Sequence, residues 1–281
     1  MTATPSLRPL GKALGTEAVG IDLARQTDDA TIAWIDRAFA EHPVLVFRDQ
    51  RLDAAALAAF GACFGEPQIH ILEQYRHPDE PRVSYITNVA KDGGIDRFGV
   101  KRASSWHTDE TYEDALPRLA ILHAVEVPAE KGGTIFADMR AAYDALPAAT
   151  KQRLEGLVAL HGHTDGPDAR KLYGEDYVRK AGAQRPERRH PAIRRHPVTG
   201  RAVLFVNPTH THGFEGMEHE EAIRLIEELR DHATQDRFVY YHAWRVGDVV
   251  MWDEIATMHR GAGDSRPEER RIMIRTIVHP H

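Results

Sequence analysis

Apolar positions recur along the chain with two periods, and their alternation predicts a mixed opening followed by a β-rich body. Gly15 to Leu23 alternates as an opening strand, and Asp28 to Ala40 carries apolar residues at helical spacing. Pro43 to Arg48 is a compact β-branched run, followed by an alanine-rich helix from Asp53 to Phe64. From His107 onward, short apolar runs return between turn signals: Leu119 to Val127, Thr134 to Ala137, Val158 to His161, Ala202 to Val206, Arg237 to Trp244, Asp248 to Trp252 and Arg271 to Val278. Helical spacing interrupts them at Met139 to Leu146, Thr150 to Leu157 and Glu218 to Ala233. Many short strands with a few inserted helices suit a jelly roll or related β-barrel better than a doubly wound parallel sheet. The expected fold is therefore mainly β with inserted helices.

Composition narrows the function classes. At 281 residues, with no Gly/Ser linker or sharp shift in composition, the chain reads as one domain spanning 1–281. A net charge of −6 argues against nucleic acid as a partner, which would call for a clustered basic face. No apolar stretch is long enough to span a bilayer, and Met1 to Gly15 lacks the hydrophobic region of a signal peptide, so the expectation is a cytoplasmic enzyme with no membrane partner. The sole cysteine, Cys63, excludes an intrachain disulfide and is expected to be a small core residue. Whether the chain forms a homo-oligomer is open.

The tripeptide His-x-Asp/Glu is where chemistry enters. It occurs four times, against roughly two or three expected from composition. His219 and Glu221 fall on a predicted helix, where positions i and i+2 do not face each other. His77-Pro78-Asp79 reads as a surface turn. His163-Thr164-Asp165 runs into a polar, turn-rich segment, whereas His107-Thr108-Asp109 leads into an apolar strand, a firmer base for ligands. With a distant His259, His107 and Asp109 make the two-imidazole, one-carboxylate set of non-heme Fe(II) oxygenases.

The last predicted strand sharpens this choice. In Arg270-Arg271-Ile272-Met273-Ile274-Arg275, period 2 sets Arg271, Met273 and Arg275 on one face. Two arginines on an inward face are expensive without anions, and a guanidinium fork fits a carboxylate or sulfonate. Of Arg270 and Arg271, alternation lets only one point inward. A zinc-dependent hydrolase could use the same three ligands, and a noncatalytic cupin-like binding protein could keep the fold. Neither gives the arginines a role.

These residues, together with Gly15 to Leu23, Val44 to Arg48, Phe60 to Gly65, Phe136 to Pro147 and Val250 to Asp253, resemble the taurine dioxygenase and 2,4-dichlorophenoxyacetate dioxygenase (TauD/TfdA) family over nearly the whole chain. The resemblance implies a double-stranded β-helix core (jelly roll, cupin-like), with His107, Asp109 and His259 as ligands of Fe(II). It implies that Thr134 and Arg271 bind the two carboxylate ends of 2-oxoglutarate, and that Arg275 lies near the acidic group of a small organic acid substrate or near the cosubstrate. With O2, 2-oxoglutarate would be decarboxylated to succinate and CO2 as the substrate is hydroxylated. His70 resembles a substrate-contacting histidine of the taurine branch, although the aromatic residue expected three positions on is Glu73 here. The Asp138 to Pro147 match leans toward aryloxyalkanoate-type members. Glu110, directly after Asp109, is expected to be an exposed carboxylate.

Overall fold

A run in which every residue is apolar, such as Val44-Leu45-Val46-Phe47, can be a strand only if both faces of its sheet are covered. The computed structural model, which describes residues 4–281 except 26, 71, 102, 183 and 184, meets that requirement with a large sheet whose central strands are buried on both sides. Its strands lie in the order Ser6–Pro9, Thr16–Val19, Val44–Phe47, Val249–Asp253, Leu119–Glu126, Ile272–His279 and Glu66–Pro67, with Ser84–Thr87 also paired to Ile272–His279. Thr16–Val19 and Val44–Phe47 run parallel, and the other pairs in this sheet are antiparallel.

Successive side chains sort to opposite faces, as strand geometry demands. Leu45, Phe47, Ile121, Met251 and Ile274 pack outward against Ile35 and Phe39 of the Asp29–Glu41 helix and Leu57 and Phe60 of the Ala54–Ala62 helix. Val44, Val46, Leu122, Val250, Trp252 and Met273 point the other way, onto Phe136, Tyr240 and Trp244. Asp28 and Asp53 cap these two helices, accepting from the amides of Thr31 and Ala56. Gly61 lets the second helix lie close on the sheet, because a Cβ there would meet the Thr276 methyl at 3.0 Å.

The inward face is closed by a three-stranded antiparallel sheet in the order Val239–His242, Thr134–Asp138 and Thr257–Gly261. Helices Met139–Asp144 and His219–Ala233 cover its far side through Leu225, Ile226 and Leu229. Two facing sheets thus enclose the space between Trp252 and Phe136, whose rings stand 5.6 Å apart. A further sheet, Thr211–Phe214, Val158–His161 and Arg188–Pro191, flanks this core.

Several expectations need correction. The opening strand stops at Val19 because Gly20 turns with φ of 86°. The helix expected at Thr150 to Leu157 runs Ala148–Leu154, and Gly156 at φ 75° follows it. Cys63 is exposed, since it lies at the C-cap of its helix rather than on the apolar side. The segment after His163 folds into helices Pro167–Tyr173 and Glu175–Gly182.

Candidate active site

His107 stands just ahead of the large sheet and pairs with His259 on the inner sheet. The two residues exchange both main-chain hydrogen bonds, at 3.0 and 2.8 Å, and form an isolated antiparallel bridge. Their rings lie 4.2 Å apart. The intervening segment is pinned on both sides: Thr209 donates to the Trp106 carbonyl at 2.8 Å and Thr108 to the Thr257 carbonyl at 3.0 Å. Trp252 packs against the His259 ring at 4.8 Å. Fixed backbones and packed rings leave the ligating atoms little freedom.

His107, Asp109 and His259 each offer one atom within 4.8 Å of the others. The Nδ1 of His107 faces the Ser105 carbonyl at 2.8 Å, and a carbonyl can only accept, so Nδ1 carries the proton. The Nε2 that faces Asp109 Oδ1 at 3.4 Å is then a lone pair beside a carboxylate oxygen in the neutral ring. Two acceptors at that separation need a cation between them, and the His259 Nδ1 is buried without a hydrogen bond. This donor set fits a divalent metal with imidazole and carboxylate ligands.

Electrostatics act on the other two members. Burial works to raise the Asp109 carboxyl, but the Arg275 guanidinium leads the opposing causes, and the group lies well below the usual carboxylate range. Burial lowers the His259 imidazole well below its ordinary value. A carboxylate and a neutral imidazole are forms that ligate metal.

A cavity of about 470 Å³ opens against this triad, lined on its inner wall by Thr134, Trp252, His259, Arg271 and Arg275. Arg271 is half-buried, donates from Nε to the Gly132 carbonyl at 3.2 Å, and approaches Thr134 Oγ1 at 3.5 Å. No carboxylate is bonded to it among the described residues, and burial pulls its pKa down to about 10. Thr134 and Arg271 meet at one end of the cavity, so together they suit a single carboxylate group rather than both ends of one molecule. Arg270 pairs with Glu126 at 2.9 Å on the exposed side, which resolves the choice between the two arginines. Arg271 precedes the strand and a register irregularity follows at Ile272/Met273, yet Arg271 and Arg275 still share the cavity.

Arg275 has two faces. Its Nη1 donates to Asp109 Oδ2 at 2.7 Å, while its buried Nε has no partner. His70 does not line the cavity, and its carbonyl accepts from Arg76 at 2.5 Å. Glu110 is buried, contrary to the exposed carboxylate expected from its residue type: its φ of 57° turns it in toward His279, with Oε2 at 3.3 Å from Nε2. Glu254, buried after Trp252-Asp253, accepts from the Asp109 amide at 2.9 Å. Nothing in the sequence marks it, because an acid after a strand ordinarily reads as a solvated turn.

Two facing sheets, a histidine–carboxylate triad and an arginine that shares a cavity with the triad's His259 define a metal- and 2-oxoglutarate-dependent oxygenase. The chain belongs to the taurine catabolism dioxygenase TauD, TfdA family, which it matches over residues 6–277. It is 35% identical over 263 residues to an alpha-ketoglutarate-dependent 2,4-dichlorophenoxyacetate dioxygenase of Cupriavidus pinatubonensis, covering 90% of each chain. It is 31% identical to an alkylsulfatase of Acinetobacter baylyi, over 97% of this chain and 84% of the other. The crystal structure of AAD-2 in complex with Mn(II) and N-oxalylglycine superposes with a TM-score of 0.86 at 29% identity, over 99% of this chain and 98% of that one. The protein is an Fe(II)- and 2-oxoglutarate-dependent dioxygenase with a cupin-like fold, which decides against the hydrolase and the noncatalytic binding protein. Its substrate is a small molecule. No described helix is long and apolar enough to cross a membrane.

Proposed function

We propose that the chain, acting as one domain over 1–281, hydroxylates a small organic anion of the aryloxyalkanoate, sulfonate or alkyl sulfate class. In this reading His107, Asp109 and His259 hold Fe(II), and Thr134 with Arg271 holds the distal carboxylate of 2-oxoglutarate. The observation that carries it is Arg271: a half-buried side chain whose desolvated guanidinium has no carboxylate partner among the described residues, in the cavity that His259 of the triad also lines. A desolvated unpaired cation is costly, and a bound carboxylate offsets that cost with a planar, bidentate match. The relatives that act on 2,4-dichlorophenoxyacetate and on alkyl sulfates support an anionic substrate.

Bound iron, with 2-oxoglutarate and O2, supplies the oxidising power for C–H hydroxylation coupled to formation of succinate and CO2. The chain's own residues do the positioning. Arg275 keeps Asp109 Oδ2 occupied, so that Oδ1 is the oxygen turned to the metal. The unpartnered Nε of the same arginine is free to receive the substrate's anionic group. Ile86 and Leu122 give the cavity an apolar wall for the organic part, and substrate contact is assigned there and to Arg275. Trp252 and Phe136 exclude water from behind His259.

The test is succinate release from 2-oxoglutarate with aryloxyalkanoates, alkyl sulfates and alkylsulfonates, each compared with its uncharged methyl ester or alcohol. Stimulation by at least one anionic class, and not by its neutral counterpart, is expected. Stimulation by neutral compounds alone would overturn the anionic assignment.

A further inference from the structure

Each residue of the His107–Asp109 pair is tied to the chain segment that carries the third triad member, but by different means. His107 is held by main-chain bonds to His259 itself. Asp109 is held by a side chain: its amide donates to Glu254 Oε2 at 2.9 Å across 145 positions of sequence. Glu254 lies in the turn between strands Val249–Asp253 and Thr257–Gly261, five residues before His259.

That turn is itself rigid. Asp253 Oδ1 accepts from the amides of Ile255 and Ala256, both at 2.8 Å, and Oδ2 faces His196 Nε2 at 2.8 Å. Thr257 donates to the Asp253 carbonyl at 2.7 Å, and the Glu254 amide to the Arg118 carbonyl at 3.2 Å. A carboxyl group that is 1% exposed and aimed from this platform fixes where the Asp109 backbone sits. Arg275 holds the other end of the same residue through its carboxylate. Immediately after Asp109 the chain takes a left-handed φ at Glu110, a conformation that persists only where its surroundings enforce it.

We propose that Glu254 is a positioning residue for the metal centre, setting the Asp109 carboxylate against His107 and His259 by accepting the Asp109 amide. The proposal rests on the reading of the triad as the metal site. It requires an acceptor at position 254 and not a charge, which separates it from an electrostatic role. Residues that orient metal ligands typically alter affinity 10- to 100-fold when lost.

The test is anaerobic titration of the full chain with Mn(II) and with Fe(II), followed by calorimetry and by quenching of tryptophan fluorescence, Trp252 being beside the triad. Wild type is compared with Glu254→Gln, which keeps an acceptor, and with Glu254→Ala and Glu254→Leu, which do not. Retention of affinity within about 3-fold in Glu254→Gln, with a loss of about 10- to 100-fold in the other two, is expected. Wild-type affinity in Glu254→Ala or Glu254→Leu would overturn the positioning role, as would a Glu254→Gln variant as weak as Glu254→Ala. If neither acceptor-free variant folds, the rise in Tm on metal addition decides: a rise in Glu254→Gln equal to that of wild type supports the proposal, and its loss overturns it. Failure of the wild-type chain to bind either metal would instead refute the triad reading on which the proposal stands.

Discussion

Arg275 and Asp109 share a 2.7 Å hydrogen bond from Nη1 to Oδ2, while the other carboxylate oxygen of Asp109 faces His107 Nε2 at 3.4 Å. One arginine therefore orients a residue of the triad and lines the cavity beside it. Both functions are expected to fail together in Arg275→Gln. Mn(II) affinity should fall by about 10-fold or more, and the KM for the anionic substrate should rise, as measured by titration and succinate release. Arg275→Lys, a point charge without the fork, should recover only part of either. Loss of substrate affinity with unchanged metal affinity would show that the Asp109 contact is passive.

Arg271 and Arg270 are adjacent and should behave oppositely. Arg271→Ala removes the cation assigned to 2-oxoglutarate, and its KM for that cosubstrate should rise by about 100-fold, a loss of about 3 kcal/mol within the range for charged hydrogen bonds. Arg270→Ala breaks only an exposed pair with Glu126, and its kinetics should match wild type. Cosubstrate kinetics for the two variants, at saturating metal, provide the comparison.

Much of this arrangement could be read from residue patterns. Val44 to Phe47 and Val249 to Trp252 announced doubly covered strands, and the arginine-bearing strand after His259 pointed to an anion beside the triad. What could not be read depends on partners distant in sequence. Arg271 and Arg270 differ only in which side of an irregular strand start they leave. Glu254 and Glu110 look like solvated acids, and only the closure of the Asp253–Thr257 turn and the left-handed Glu110 backbone bury them. The strands Thr211–Phe214 and Arg188–Pro191 are polar and short, and their register follows from packing around Thr111 and His161 rather than from alternation.

Asp248 tests the base of the large sheet. It pairs with Arg48 and His242 while 1% exposed, and His242 Nδ1 lies 2.9 Å from the Tyr240 hydroxyl. Asp248→Asn should lower the unfolding free energy by about 3 kcal/mol, the low end of the cost of leaving a buried charge unpaired. Urea unfolding of the metal-free chain measures it, and a change below about 1 kcal/mol would show that solvent compensates Arg48.

Three buried imidazoles predict acid sensitivity. Burial lowers His161, His190 and His210 below the ordinary value of 6.5, and for His161 the neighbouring histidines add to the effect. Below pH 6.5 the unfolded chain binds protons that the folded chain refuses, so stability is full above 6.5 and falls as pH drops toward the folded pKa values. The slope approaches about 1.4 kcal/mol per pH unit for each histidine. Tm of the metal-free chain should drop between about pH 7 and pH 5, and His161→Gln should make the decline shallower. An unchanged slope in that variant would place the sensitivity elsewhere.

The account depends most on His107, Asp109 and His259 acting as one metal site beside a 2-oxoglutarate pocket. Anaerobic addition of Fe(II) and then 2-oxoglutarate, followed by visible absorption, tests both halves at once. A weak metal-to-ligand charge-transfer band should appear with wild type and be lost in Asp109→Ala. No band with wild type, or an undiminished band in Asp109→Ala, would contradict the assignment.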